Sequence, residues 1–187
     1  MRGFVVLFVM FAAFGTLSGC ADKPIIGYND IKIGINDSEV VQMKVSSPEF
    51  MNNGMIPKKF SCQGQDINPE LEFSGVPDST KSLALIMDDP DAPTGTWVHW
   101  VLFNIPNDTR MIAEDSVPED AVQGLNSWPK NSYGGPCPPS GTHRYFFKLY
   151  ALDSILGLDE GATKADVEQA MQGHIIEKAE LIGLYKK

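Results

Sequence analysis

Hydrophobic residues along this chain fall into short runs separated by loops rich in proline, glycine and asparagine. Residues 83–87 and 97–105 are apolar at both odd and even positions, which predicts strands that are covered on two faces. Residues 142–152 form a long run in which His143 and Tyr145 share the odd face. Shorter strands are predicted at residues 40–46, 70–73 and 179–185.

One helix is predicted near the C-terminus. Thr163 is a typical N-cap, and Asp166 stands where an acid can complete a capping box. The spacing predicts that one helical face carries Val167, Ala170, Met171 and His174. His174 is therefore expected to be structural. The balance of elements predicts a mainly β fold with helices at its edge, formed by a single domain over residues 40–187.

The N-terminal segment has the features of an export signal. Arg2 gives a positive start, residues 4–14 are almost continuously apolar, and small residues precede Cys20. The apolar stretch is too short to cross a membrane, and no stop-transfer pattern follows it. These features predict that the protein is exported.

The end of this segment resembles the lipobox of bacterial lipoproteins. The sequence is Leu17-Ser18-Gly19-Cys20, which implies a signal peptide over residues 1–19 and acylation of the Cys20 thiol. An ordinary signal peptide with a chance cysteine is the alternative. If the lipobox is used, residues 20–39 form a tether to the domain. Ala21 then favours an anchor in the outer membrane that faces the periplasm.

Composition narrows the classes of function. The chain has 187 residues, a net charge of −9 and 43% hydrophobic residues, which is typical of a soluble globule. The negative charge argues against nucleic acid as a partner, because such binding requires a basic face. It also argues against docking on anionic lipid.

Two cysteines remain once Cys20 is assigned to lipid. Cys62 and Cys137 form an even pair, and an oxidising compartment is compatible with a disulfide between them. Two free thiols are the alternative, because the sequence does not show whether their Cα atoms come within about 7 Å.

Three polar residues stand at the ends of predicted strands. Asp89 follows the run at residues 83–87, His99 lies near the start of the next strand, and His143 lies at the start of another. Short connections favour antiparallel neighbours, which would bring Asp89 and His99 to one end of the sheet. Imidazoles donate hydrogen bonds to anions, and a carboxylate favours their protonated form. This pattern suits a small phosphate ester, although a single histidine at such a position is more often structural.

Two longer segments resemble the signatures of the phosphatidylethanolamine-binding protein family, also called the Raf kinase inhibitor protein family. They are DDPDAPTGTWVHWVLFNIP at residues 88–106 and YGGPCPPSGTHRYFFKLYALD at residues 133–153. The resemblance implies a large antiparallel sheet packed on a smaller one with peripheral helices. It also implies a small pocket for phosphate-like anions and phospholipid headgroups. The pocket residues that it assigns to this chain are Asp89, Trp97, His99, Pro138, Pro139, His143 and Tyr145.

Nearby positions are assigned structural roles. Asp91 belongs to the first signature and is expected to brace its loop rather than touch ligand. Arg144 is expected to pair with an acid, Trp100 to lie in the core, and Trp128 to pack within its loop. Cys137 is a departure, because eukaryotic members have glycine at this position.

These features predict an exported, lipid-anchored binding protein for a small anionic or phosphorylated ligand, with no enzymatic activity and no cofactor. The sequence contains neither a Gly-x-Ser-x-Gly nor a His-Glu-x-x-His motif. An inhibitor or regulator of a protein partner is one alternative. A metal-dependent enzyme with Asp89, His99 and His143 as ligands is another. The kinase-regulating role of the family is not transferred, because an exported protein meets no cytosolic kinase.

Overall fold

The computed structural model describes residues 42–187. The predicted signal peptide, the lipidation site Cys20 and the predicted tether lie outside this range. Within it, no helix is long and apolar enough to cross a bilayer.

Two β-sheets make up the described domain. The smaller sheet has the order β1 (Lys44–Ser46), β3 (Leu71–Ser74) and β6 (Met111–Ile112). The larger sheet has the order β2 (Gly54–Met55), β9 (Ile175–Lys186), β8 (Thr142–Leu152), β4 (Ser82–Asp89), β5 (Trp97–Pro106) and β7 (Val122–Gln123). All neighbouring strands are antiparallel except β2 and β9. One α-helix, α1 (Lys164–Ala170), and a 3₁₀ turn (Lys58–Phe60) complete these elements, which confirms the predicted mainly β fold.

Strand β4 is buried on both faces, as its continuous hydrophobicity predicts. Leu85 and Met87 belong to the core cluster that the larger sheet shares with the smaller sheet. Ala84 and Ile86 belong to a second cluster that includes Val167 of α1. Because successive side chains of a strand alternate between its faces, a buried central strand needs apolar residues at every position.

The helix and the last strand differ from their predicted bounds. Helix α1 ends at Ala170, so the prediction that His174 lies on its apolar face is wrong. Gly173 adopts a positive φ of 80° and turns the chain, and His174 is exposed and forms a hydrogen bond with Asp153 at 2.8 Å. Strand β9 begins at Ile175 rather than residue 179. Its first half is largely exposed and therefore carries no clear apolar alternation.

The start of α1 follows the sequence prediction. The Thr163 hydroxyl accepts a hydrogen bond from the backbone N–H of Asp166, and the Asp166 carboxylate accepts one from the backbone N–H of Thr163. This reciprocal capping box satisfies two backbone donors that the first helical turn leaves free.

Candidate functional site

The candidate site lies at the end of the larger sheet where β4 ends and β5 and β8 begin. Strand β4 pairs with β5 on one side and β8 on the other, and both pairs are antiparallel. Asp89 at the end of β4 lies opposite Trp97 at the start of β5. His143 is the second residue of β8. The expected antiparallel pairing around Asp89 is therefore present.

A β-bulge places His99 at this end of the sheet. Met87 pairs with Trp100, while the next residue, Asp88, pairs with Val98, and so His99 is the extra residue on β5. Bulges redirect side chains and are frequent beside functional sites. Trp100 is fully buried in the core, as expected.

A cavity of about 260 Å³ opens here. The structure brings all the predicted ligand-binding residues to its wall, namely Asp89, Trp97, His99, Pro138, Pro139, His143 and Tyr145. The residues of the wall that sequence reasoning did not assign to the site are Ala92, Pro93, Thr94, Trp128 and Cys137. Trp128 is half-exposed and belongs to this wall, so its assignment to packing within its own loop is corrected.

Asp89 and His143 form a buried pair in the cavity wall. Asp89 is 3% exposed and His143 is 7% exposed, and Nδ1 of His143 lies 2.7 Å from Oδ2 of Asp89. Because a carboxylate accepts and does not donate, the proton lies on Nδ1. The other carboxylate oxygen accepts the backbone N–H of Asp91 at 2.8 Å. The imidazole is thus held in one orientation with Nε2 as its remaining functional group.

His99 is held by a different kind of partner. Its Nδ1 lies 2.6 Å from the backbone carbonyl oxygen of Gly134, so Nδ1 carries the proton. Burial lowers the pKa of His99, and the Gly134 carbonyl and the Asp89 carboxylate only partly oppose that effect. The ring is therefore neutral at neutral pH, and its Nε2 is a hydrogen-bond acceptor. The expectation that both imidazoles donate to an anion does not suit His99.

Aromatic rings form the apolar part of the wall. The ring of His99 makes edge-to-face contacts with Trp128 at 5.2 Å and with Tyr145 at 5.1 Å between centroids, and Trp97 contacts Trp128 at 5.4 Å. Trp128 fits because residue 134 is glycine: a Cβ on Gly134 would lie 2.5 Å from the indole ring. No hydrophobic periodicity marks Trp128. The Gly134-Gly135 pair is the one local sign that something packs closely there.

Two buried polar groups in this wall have no hydrogen-bond partner among residues 42–187. They are Nε1 of Trp97 and the hydroxyl of Tyr145. Burial raises the pKa of Tyr145, and the charge of Asp89 raises it further, so the hydroxyl keeps its proton. An unsatisfied buried donor costs about 1–3 kcal/mol. The Tyr145 hydroxyl lies close enough to the Asp89 carboxylate and the Cys137 backbone for both to influence its pKa through hydrogen bonding, so Trp97 Nε1 is the clearer free donor for a ligand.

Asp91 braces the loop between β4 and β5, as expected. Its carboxylate accepts hydrogen bonds from the backbone N–H, Nε and Nη2 of Arg144 at 3.0, 2.9 and 2.7 Å. The acid expected to pair with Arg144 is therefore Asp91. Hydrogen bonds from Arg144 lower the pKa of Asp91 to about 2.

A disulfide holds the loop that forms the far side of the cavity. Cys62 and Cys137 are bonded, with their Cα atoms 5.5 Å apart, and Cys137 lines the cavity. The backbone N–H of Gly135 also donates to Asp66 at 2.7 Å. These links tie residues 134–139 to the segment after the 3₁₀ turn.

Within residues 42–187, no group of three or more His, Cys, Asp or Glu side chains is arranged to hold a metal ion. The Nδ1 atoms of His99 and His143 are both engaged in hydrogen bonds with protein oxygens.

Known proteins resemble this chain over most of its length. The family model of the phosphatidylethanolamine-binding protein matches residues 46–186. The UPF0098 protein of Methanothermobacter thermautotrophicus is 50% identical over 150 residues, which cover 78% of this chain and 99% of the relative. The UPF0098 protein of Aquifex aeolicus is 51% identical over 152 residues, which cover 78% of this chain and 89% of the relative.

Solved structures support the same relationship. A phosphatidylethanolamine-binding protein homologue from Chlamydia trachomatis is 46% identical, with a TM-score of 0.76 over 79% of this chain and 99% of that chain. Escherichia coli YbcL, a member of the mammalian family, is 32% identical, with a TM-score of 0.74 over 78% of this chain and 99% of that chain. With its two packed sheets, this chain belongs to the phosphatidylethanolamine-binding protein family.

Proposed function

We propose that this protein is an exported, lipid-anchored binding protein whose cavity holds a small anionic or phosphorylated ligand, the class to which phospholipid headgroups belong. It holds the ligand without converting it. The observation that carries the proposal is the convergence of buried polar groups without partners on one small cavity. Trp97 Nε1 and the Tyr145 hydroxyl lack partners in the described chain, and both residues line the cavity with His143.

The size and lining of the cavity suit a small ligand. Its volume of about 260 Å³ lies just below the roughly 300–1,000 Å³ of typical ligand pockets. Aromatic and proline side chains form much of the wall, and a few fixed polar groups interrupt it. Such walls keep their shape when empty, so little ordering is required on binding.

Export through a lipid anchor is supported by the N-terminal sequence. The lipobox-like segment ends at Cys20. The disulfide between Cys62 and Cys137 also suits an oxidising compartment, since such bonds are rare in the cytosol. Cys20→Ser is expected to abolish incorporation of labelled fatty acid and to release the protein from membranes. Equal incorporation in the variant would reject the anchor.

Ligand binding is tested by calorimetric titration of the purified protein with phosphoethanolamine and inorganic phosphate. We expect His143→Ala to weaken binding at least tenfold, because it removes a polar ring that Asp89 holds in one orientation at the cavity wall. His174→Ala is the matched control, since His174 also pairs with an aspartate but is exposed and lies at the other end of β8 and β9. No binding to wild type at millimolar ligand rejects the proposal. If the protein instead binds a protein partner through a surface away from the cavity and His174, neither variant should change the affinity for that partner.

A further inference from the structure

The cavity wall contains a buried carboxylate but no permanent cation. Asp89 is 3% exposed, and no lysine or arginine lines the cavity in the described part of the chain. Arg144 follows His143 in the sequence, but its guanidinium is bound to Asp91 and its side chain is 53% exposed. A ligand with two negative charges would therefore face Asp89 at low dielectric without an offsetting fixed charge.

His99 adds a second acceptor to this wall. Its Nδ1–H is committed to the Gly134 carbonyl, which leaves a lone pair on Nε2. The titratable groups that influence or share this environment are Asp88 and Asp89 on β4, His143 and Tyr145 on β8, and Asp66 after the 3₁₀ turn. Burial outweighs the influence of the three carboxylates on His99 and lowers its pKa.

The cavity wall also contains hydrogen-bond donors. Among residues 42–187, the unpartnered buried polar atoms that belong to residues of this cavity are Nε1 of Trp97 and the hydroxyl of Tyr145. The wall thus combines donors for oxyanion oxygens with acceptors that require a proton from the ligand. An anion without a proton can accept hydrogen bonds from the donors, but it cannot donate to the acceptors, which then stay unpaired.

From this arrangement we propose that the cavity selects a phosphate that carries a proton: the monoanion of a phosphomonoester or of inorganic phosphate. One P–OH donates to the acceptor side formed by His99 Nε2 and the Asp89 carboxylate. The unprotonated oxygens accept from Trp97 and Tyr145. The selection rests on the proposed anion-binding function and narrows its ligand class.

A proton on the ligand distinguishes phosphomonoesters from chemically similar anions. A phosphomonoester loses its second proton with a pKa of about 6, whereas sulfate and phosphodiesters carry no proton on their oxygens near neutral pH. A site built to receive a hydrogen bond rejects an analogue that lacks the donor, because its own acceptor stays unpaired. The diester linkage of an intact lipid headgroup is therefore disfavoured relative to a free monoester.

The test is calorimetric titration of the purified protein with methyl phosphate, dimethyl phosphate and sulfate. At about pH 5 we expect methyl phosphate to bind at least tenfold more tightly than the other two, and its affinity to fall at least tenfold by about pH 8. Sulfate or dimethyl phosphate binding within tenfold of methyl phosphate would overturn the selection and leave a general anion site standing. Failure of all three to bind would reject both the selection and the proposed function.

His99→Gln provides a sharper test, because the side-chain amide can turn its NH₂ group towards a bare oxyanion. We expect the ratio of methyl phosphate to sulfate affinity to fall at least fivefold. Trp97→Phe is the control: it removes a donor and should weaken both anions alike, with little change in the ratio. An unchanged ratio in His99→Gln contradicts the proposal.

The state of His99 can also be observed without mutation. Nitrogen-detected correlations of the histidine rings in the wild-type protein should show His99 protonated on Nδ1 and unprotonated on Nε2 at about pH 6. A ring protonated on both nitrogens under these conditions would remove the acceptor and overturn the proposal.

Discussion

Asp88 and Asp89 are adjacent on β4, and both are buried, yet their carboxylates have different environments. Asp88 accepts from the ammonium groups of Lys148 at 2.8 Å and Lys164 at 2.5 Å, on the side of the sheet where α1 begins. Asp89 pairs with His143 at 2.7 Å in the wall of the cavity. Residue type and burial are the same, and the partner differs.

The partner decides what each carboxylate does. Two lysines bind the Asp88 carboxylate, one from β8 and one from α1, so the cluster around Asp88 links α1 to the sheet. An imidazole has two ring nitrogens and can change its charge. His143 uses one nitrogen on Asp89 and keeps the other for the cavity. Burial of an acid therefore does not by itself indicate function; a titratable partner beside a cavity does.

The largest expected effect comes from removing the disulfide between Cys62 and Cys137, which belongs to the cavity region around Asp89. Cys62→Ser with Cys137→Ser opens a loop with a sequence separation of 75, and the free energy of unfolding should fall by roughly 4 kcal/mol. Guanidinium unfolding of the variant and of the wild type would measure the loss. Reduced wild type is the control and should match the variant. A loss below about 1 kcal/mol would show that other contacts hold this loop.

Asp88→Asn should give the next largest effect. It leaves Lys148 and Lys164 without their counter-charge, and breaking a buried pair typically costs about 3–5 kcal/mol. The lysine side chains are 27% and 19% exposed and reach water, so we expect a loss near about 3 kcal/mol. Urea unfolding measures it. Phosphoethanolamine affinity should stay within about twofold of wild type; a large loss of affinity would mean that the two carboxylates are not functionally separate.

Asp89→Asn should do the reverse of Asp88→Asn, with a small loss of stability and a large loss of ligand affinity. The side-chain partner of Asp89 is an imidazole and not a lysine or arginine, so no fixed positive charge is left unpaired, and the free energy of unfolding should fall by only about 1 kcal/mol. Affinity for phosphoethanolamine should fall at least tenfold, because His143 loses the group that orients it. Paired urea unfolding and calorimetry give both values. A stability loss equal to that of Asp88→Asn would remove the contrast between the two sites.

Acidification should weaken the cavity region selectively. The pKa of His99 is lower in the folded protein than its ordinary value, so the unfolded chain binds this proton more readily. The contribution of neutral His99 is complete above the unfolded pKa of about 6.5 and is lost as pH falls towards the folded pKa. Unfolding at several values between about pH 5 and 8 should show a steeper decline for wild type than for His99→Gln. Parallel curves would contradict the assignment.

Arg144→Gln should have the smallest effect on stability near neutral pH, because the ion pair with Asp91 is exposed and screened by solvent. The pKa of Asp91 should rise from about 2 towards its ordinary value of 3.8, since its main stabilising partner is gone. Below that ordinary value, the wild-type carboxylate loses its stabilising contribution as pH falls towards about 2. A carboxyl titration followed by NMR checks the shift, and an unchanged Asp91 pKa would show that Arg144 is not its partner in solution.

Much of the domain was predictable from the sequence. Hydrophobic runs marked β4 and β5, because strands that are covered on both faces must be apolar at every position. The long run at residues 142–152, in which alternate residues share a face, marked β8. Thr163 and Asp166 marked the start of α1 through local hydrogen bonds. The resemblance of two motifs to a known family added the seven candidate ligand-binding residues, which the structure gathers around one cavity.

Other features depended on contacts between distant segments. Trp128 became part of the cavity wall because Gly134 leaves room for its ring, and no local pattern encodes that approach. The neutral state of His99 follows from its burial, and the Gly134 carbonyl, 35 residues away in sequence, fixes its proton on Nδ1. The separate roles of Asp88 and Asp89 arise in the same way. A sequence determines which groups are present and how they alternate along a strand, whereas the hydrogen-bond partners and burial that decide protonation come only from the packed tertiary structure.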